Sequence, residues 1–377
     1  MYLAEAATHL GVSAITLKRW LLSGKIEDVA RDRKGWRVFK DSDLARIRRG
    51  FLDTPTLHEE ETPYGAPVRV ASFFSGIGGM ELGFERAGFE LSFQCEINEF
   101  CRTILKHHWP STPKWDNIKT LENERIPVSD AWIGGFPCQD VSLARMGTRE
   151  GLRGAQSGLF HEFARLLGAG RPRVVVIENV AGLLSSHRGS DFATILRTLE
   201  ELGYSVGWRT LNSRYFGVPQ SRDRVYIVGC HRDGRGPGRI LFESECRERD
   251  SPKGGSNGSS ALSPFKAVVK HPGPKRPVTQ AVAYCLYATS ARHTGTDWSR
   301  TYVCYPEEGA VRRLTPKECE GIMGFPKHWT KPRKSEVFAN DIDSMRYHAL
   351  GNAVTPPVAE WIGRRVIDYL RATRKEL

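Results

Sequence analysis

From residue 68 onward the chain repeats one pattern. A short run of apolar residues is followed by a longer stretch whose apolar residues recur every three or four positions. The apolar runs at 68–74, 91–96, 131–133, 174–178, 206–211 and 225–228 predict strands. Phe192, Ile195, Leu196, Leu199 and Leu202 lie at helical spacing between the fourth and fifth, with Ser190 and Gly203 as expected caps. Strands that are apolar on consecutive residues must be covered on both faces, so the alternation predicts a doubly wound, mostly parallel α/β sheet.

Such sheets place their chemistry in the loops that leave the strand ends. Two loops stand out. The first strand runs into Phe73-Phe74-Ser75-Gly76-Ile77-Gly78-Gly79-Met80, whose glycines let a backbone approach a ligand closely. The third runs into Gly134-Gly135-Phe136-Pro137-Cys138-Gln139, where Cys138 is a candidate nucleophile; an isolated cysteine is more often buried and inert. Glu96, ending the second strand, stands where α/β nucleotide sites hold ribose hydroxyls.

Lys and Arg outnumber Asp and Glu by 55 to 43, and the resulting net charge of +12 favours a polyanionic partner. No apolar run is long enough to span a membrane and no signal-peptide pattern opens the chain, so a soluble, intracellular protein is expected. The eight cysteines form no CxxC pair, which indicates neither a metal site nor a disulfide framework.

Residues 1–50 read as a separate unit. A short helical pattern, the Gly11-Val12 turn and a second helix from Ala14 to Leu22, with Ser13 as cap and Ser23-Gly24 as stop, give helix-turn-helix spacing. Ile15, Leu17, Trp20 and Leu21 are expected in its core, Thr16, Lys18 and Arg19 toward DNA, and the basic stretch 31–37, including Arg37, in a wing; Asp41 is the expected cap of a third helix. The motifs AAxxLGVSxxTLxRW at 6–20, GWRVF at 35–39 and DSDL at 41–44 resemble the MerR/excisionase type of winged helix. The long dimerisation helix usual in MerR proteins is missing, so the resemblance leaves a catalytic monomer with dimerisation through this unit open. Residues 51–67, with three prolines and Glu59-Glu60-Glu61, read as a linker.

The remaining motifs come in a fixed order. After Gly134–Gln139 stand Glu178-Asn179-Val180, then Pro219-Gln220-Ser221-Arg222-Asp223-Arg224, Arg313-Leu314-Thr315-Pro316, Met323-Gly324-Phe325-Pro326 and Gly351-Asn352-Ala353-Val354-Thr355-Pro356. In this order and at these intervals the chain resembles the DNA cytosine carbon-5 methyltransferases. That resemblance implies S-adenosylmethionine as cofactor, double-stranded DNA as substrate and, for a bacterial or phage relative, a partner restriction endonuclease. It implies a catalytic domain over 68–230, completed by 311–377, and a target-recognition region over 231–310.

By the same resemblance Cys138 attacks carbon 6 of a flipped cytosine, Glu178 donates toward ring nitrogen 3, Arg224 holds the cytosine oxygen and Arg222 positions the site and its phosphates. The donor role requires a protonated Glu178; the residues alone equally allow an ionised acid paired with an arginine. Phe74 and Ile77 are implied around the adenine and methionine, Gly79 by backbone approach, Glu96 on the ribose and Asp116 on the adenine amine, with Pro137, Leu159, Asn352, Ala353 and Val354 closing the pocket. Gln139, Ser142 and Arg145 belong to a basic, Gly-containing segment, 139–156, expected to close over DNA. The chain departs from the family where an acid is common, at Ser72, and lacks an arginine usual near Gln156. An RNA branch of the family carries a Cys-Phe-Thr motif that is absent here, and a regulator with a degenerate catalytic half is opposed by the intact Cys138, Glu178, Arg222 and Arg224. The amino-terminal unit is expected either to repress a promoter or to bring the catalytic part to particular DNA.

Overall fold

The structure, a computed structural model, describes residues 1–10, 14–22, 26–47, 67–137, 158–242, 282–288, 301–305, 310–333, 336, 338 and 341–373. Seven strands form one sheet: β1 (Arg69–Phe73), β2 (Glu90–Cys95), β3 (Lys114–Trp115), β4 (Ala131–Gly134), β5 (Val174–Val180), β6 (Tyr204–Asn212) and β7 (Asp223–His231), in the order β3-β2-β1-β4-β5-β7-β6. β1 through β5 pair in parallel, and β7 runs antiparallel to both β5 and β6. The chain winds outward from β1 in one direction and from β4 in the other. The switch point, where a crevice opens for ligands, therefore lies at the ends of these two strands.

Side chains alternate across this sheet with period two. Ala71, Phe73, Trp132, Val175 and Ile177 point into one apolar layer, which is covered by α6 (Gly158–Gly170) and α7 (Ser190–Glu201) through Phe163, Leu167, Ile195 and Leu199. Val70, Ala131, Ile133, Val174 and Val176 point into the other, against α4 (Gly79–Arg86) and the carboxyl-terminal helix Pro356–Thr373. That helix buries Val358, Ile362, Val366 and Leu370, the stripe visible in the sequence. Gly83 makes the contact with α4 close: a Cβ there would stand 2.5 Å from Cβ of Ala359.

Some sequence expectations change. Ser190 opens the first turn of α7 rather than capping it, because the capping position is Gly189 in the left-handed conformation. Gly203, with φ of +89°, does end that helix region as expected. β3 spans two residues, too few to leave an apolar signature. α8 (Gly236–Leu241) lies inside the region assigned to target recognition, yet Ile240 and Leu241 are buried in the core layer of the carboxyl-terminal helix. Arg365 of that helix donates to the otherwise open carbonyls of Arg239, Ile240 and Phe242 at the end of α8. The hairpin of β8 (Tyr302–Tyr305) and β9 (Ala310–Arg313) straddles the expected boundary at 310. Two helices follow it, α9 (Pro316–Met323) and α10 (Ile342–Asn352), so the carboxyl-terminal helix is α11.

The amino-terminal unit has α1 (Leu3–Leu10), α2 (Ala14–Leu22), a short hairpin closed by the Arg31–Arg37 bridge, and α3 (Asp41–Ile47). Ala6, Leu10, Leu17, Trp20, Leu21, Phe39 and Ile47 form a core of their own. α3 starts at Asp41, but it is Asp43 whose carboxylate accepts the Lys40 N–H. Ser13 and the Ser23-Gly24 stop lie outside the described residues, as do the side chains of Ile15, Thr16 and Arg19. Among the described residues no helix is long and apolar enough to cross a membrane.

Candidate active site

The loop leaving β4 is fastened to β5. Asn179 donates from Nδ2 to the Phe136 carbonyl at 3.3 Å, while its Oδ1 accepts the Val180 N–H at 2.8 Å. The Phe136 ring packs 5.3 Å from that of Phe160. Gly135 has a steric reason to lack a side chain, since a Cβ would stand 2.9 Å from Oε2 of Glu178. The loop thus passes directly over the Glu178 carboxyl and delivers the chain through half-buried Pro137 to Cys138. Cys138, Gln139, Ser142 and Arg145 lie outside the described residues.

Glu178 is 8 % exposed and forms an ion pair with Arg224, Nε to Oε1 at 3.0 Å. The paired arrangement that the residues alone allowed is therefore present. Burial nevertheless pushes the Glu178 carboxyl above its usual range, against the pull of Arg224 and Arg222. The site holds a buried acid whose burial favours the neutral form, with its countercharge in place.

Arg222, two residues before Arg224, does something different. It is 1 % exposed and donates to the carbonyls of Leu286 at 2.9 Å, Gly351 at 3.0 Å and Ala353 at 2.8 Å. Its Nη1 also lies 3.3 Å from Sγ of Cys285. A guanidinium enclosed in this way has no face left for a phosphate, so the expected phosphate contact gives way to positioning alone. Gln220 extends the same seam: buried, it accepts the Leu286 N–H and donates to Met323 and to the Ile322 carbonyl. Backbone bonds between Pro219 or Ser221 and Ala283 complete it. Gln220 belongs to the Pro219–Arg224 motif and 282–288 to the region assigned to target recognition, but the tie between them was not expected from sequence, because that segment carries no motif.

At the other end of the crevice, Phe74 adopts φ of +55°, which bends the chain into the glycine loop. The Gly76 N–H donates to Glu96 at 2.7 Å, and Asn98 donates to the same carboxylate at 2.7 Å. Burial raises the Glu96 pKa, and these backbone donors work against the rise. Asp116 is exposed, just past β3. Ile77 is fully buried among Leu82, Phe100 and Leu105, so its side chain cannot line the pocket as expected; its carbonyl accepts from Trp329 Nε1 at 2.8 Å. Gly79 is required by a protein neighbour, since a Cβ there would stand 2.2 Å from the Val354 carbonyl. This contact joins the glycine loop to Asn352, Ala353 and Val354, as the motif order implied. Leu159 is half-buried against the α6 layer. Ser72, where an acid was common in the resembled family, donates to Glu81 at 2.7 Å.

In the amino-terminal unit Lys18 is exposed. Arg37, expected on DNA, is instead clasped by Asp28, at 2.5 Å and 3.0 Å, and this pairing holds the Asp28 carboxyl well below the usual range. Arg31 reaches the same acid. Beside Arg31, the exposed side chains of the hairpin are Arg33, Lys34 and Trp36, the last 66 % exposed.

The doubly wound sheet thus carries, between β4, β5 and β7, a fastened loop over a buried acid–arginine pair. The sequence model of the C-5 cytosine-specific DNA methylases matches residues 68–254 and 265–368, and the chain belongs to that family. The type II methyltransferase M2.BsuMI of Bacillus subtilis is 30% identical over 79% of this chain and 75% of its own length. M.MspI of Moraxella sp. is 30% identical over 90% and 79%, respectively. Among solved structures, the Dnmt2 methyltransferase of S. pombe shares the fold with a TM-score of 0.57 at 19% identity, covering 80% of this chain and 98% of that one. The chain is a DNA cytosine-5 methyltransferase.

Proposed function

We propose that this enzyme methylates carbon 5 of a cytosine flipped out of double-stranded DNA, through a covalent bond from Cys138 to carbon 6. One observation carries the reading: the loop that delivers Cys138 is held across the carboxyl of Glu178, which is itself paired with Arg224. A cytosine carbon 5 is a weak nucleophile, and addition of a thiolate at carbon 6 makes it a strong one. Charge then accumulates at ring nitrogen 3, where a protonated Glu178 donates; its burial favours that form. Arg224, exchanging its carboxylate for the cytosine oxygen, holds the ring. Loss of the carbon 5 proton and expulsion of Cys138 restore aromaticity. The base must leave the stack for this to happen, which costs roughly a few kcal/mol.

The family implies S-adenosylmethionine, which supplies an electrophilic methyl group. The residues present fit it: a glycine loop, a ribose-type acid in Glu96, Asp116 at the next strand end and the Asn352–Val354 segment closing against Gly79. Similarity to the type II methyltransferases M2.BsuMI and M.MspI supports a restriction-modification setting in a bacterial cytoplasm. For the amino-terminal unit, the three helices and basic hairpin support DNA contact through Lys18, Arg33 and Lys34 rather than Arg37. Regulation of a promoter is the favoured role. Deleting residues 1–50 separates the two roles: unchanged methylation with lost promoter binding supports regulation, and retargeted methylation refutes it.

The central test is bisulfite sequencing of plasmid DNA from cells making the wild type or Cys138→Ala. Protected cytosines in one short context, lost in the variant, are expected; persistent protection in Cys138→Ala overturns the covalent route.

A further inference from the structure

One buried acid has no task in the reaction described above. Glu81 lies in the first turn of α4, directly after the glycine loop, and is 1 % exposed. Its Oε1 accepts from Ser72 at 2.7 Å, and Ser75 donates in turn to Ser72 at 3.2 Å. Its Oε2, also buried, has no hydrogen-bond partner among the described residues. No lysine or arginine is paired with this carboxyl among the described ion pairs, and the charge that acts on it is that of another acid, Glu96. Burial pushes the carboxyl up to about 7, while the serines favour the anion. An unneutralised carboxylate in the interior is costly, and a group in this condition is suited to receive a cation brought from outside.

The sheet order shows where that cation belongs. Acids stand at successive strand ends: Asp116 after β3, Glu96 after β2, and Ser72 with Glu81 at β1, next to the β4 loop that ends in Cys138. A ligand with its adenosine toward Asp116 and Glu96 and its reactive group toward β4 brings its amino-acid portion to β1. We propose that Glu81 is the specificity residue for the α-ammonium group of the bound cofactor, with Ser72 and Ser75 orienting its carboxylate. This assignment rests on S-adenosylmethionine being the cofactor.

The test is titration calorimetry with two probes, S-adenosylhomocysteine and its analogue lacking the α-amino group, on wild type, Glu81→Gln and the double variant Ser72→Asp/Glu81→Gln. Wild type is expected to prefer the amino compound at least tenfold. Glu81→Gln, which keeps an acceptor for Ser72, should reduce that preference below threefold while leaving the affinity for the desamino analogue unchanged. The double variant returns an acid to the other side of the same hydrogen bond and should restore the preference; if Glu81→Gln does not fold, this variant alone decides, a missing preference counting against the proposal. A Glu81→Gln protein that retains the tenfold preference, or loses both probes equally, overturns the proposal in favour of a purely structural acid. Wild type binding both probes equally refutes the Glu81 assignment and leaves the cofactor reading standing, whereas wild type binding neither refutes both.

Discussion

Glu178, near the end of β5, and Glu81, in the first turn of the helix after β1, are both buried carboxyls pushed upward by desolvation, and they differ in what neutralises them. Glu178 has Arg224 at 3.0 Å, supplied by the neighbouring strand. Glu81 has two serines and an open oxygen. The first acid is a working part whose charge state is set within the protein. The second is set by whatever enters the crevice. The two acids are thus separated by the source of the counterion, although β1 and β5 flank the same strand, β4.

The sharpest way to break this contrast is to remove the proton donor. Glu178→Gln should lower single-turnover methyl transfer by roughly 10²–10⁴-fold, the usual range for a general acid, while S-adenosylhomocysteine affinity stays within threefold of wild type. Equal losses in both would place Glu178 in the binding pocket after all. Next, Arg222→Met leaves three buried carbonyls without their donor, and urea denaturation should show a loss of about 3 kcal/mol or more. Cofactor affinity should fall with it, because Gly351 and Ala353 lose their anchor.

Glu81 gives a stability effect with a definite sign. Its folded pKa, about 7, lies above the unfolded value, so its contribution is fully present below the unfolded pKa and is lost as pH rises through about 7. Measured against Glu81→Gln, wild type should lose about 2–3 kcal/mol between pH 5 and pH 8, a scale set by ~1.4 kcal/mol per pKa unit. Saturating S-adenosylhomocysteine should shrink that loss; a difference flat with pH would mean that the carboxyl is not buried as an acid. The smallest effect is expected from Gly135→Ala, whose new methyl meets Glu178 at 2.9 Å. Overpacking of about 1–2 kcal/mol should appear as a lower melting temperature with a reduced rate and unchanged cofactor binding.

Much of the sheet was legible because buried strands announce themselves as apolar runs, and the reaction centre because its residues sit in loops of distinctive composition. What escaped reading shares one property, dependence on partners that only the folded chain brings together. Glu81 sits on an amphipathic helix, and its burial follows from how α4 lies against β1, where Ser72 meets its carboxyl. Arg222 and Arg224 look alike in Arg-Asp-Arg, and the carbonyls that separate their tasks come from residues 286, 351 and 353. Arg37 reads as a free basic residue until Asp28, nine positions earlier, is seen to hold it. Ile77 was misplaced for a related reason: an apolar side chain in a ligand loop can line the pocket or face the core, and Phe100 and Trp329 decide for the core.

The union of α4 with α11 also sets a timetable for the ribosome. The amino-terminal unit finds its whole core within the first 47 residues and can form while the rest is being made. The catalytic sheet cannot, because the partner of its first helix is encoded some 270 positions downstream. At about 5–20 residues per second, that face of α4 waits roughly 15–60 s for cover. A nascent chain therefore carries a finished amino-terminal unit well before it carries an enzyme, with an apolar helix face exposed between the two events.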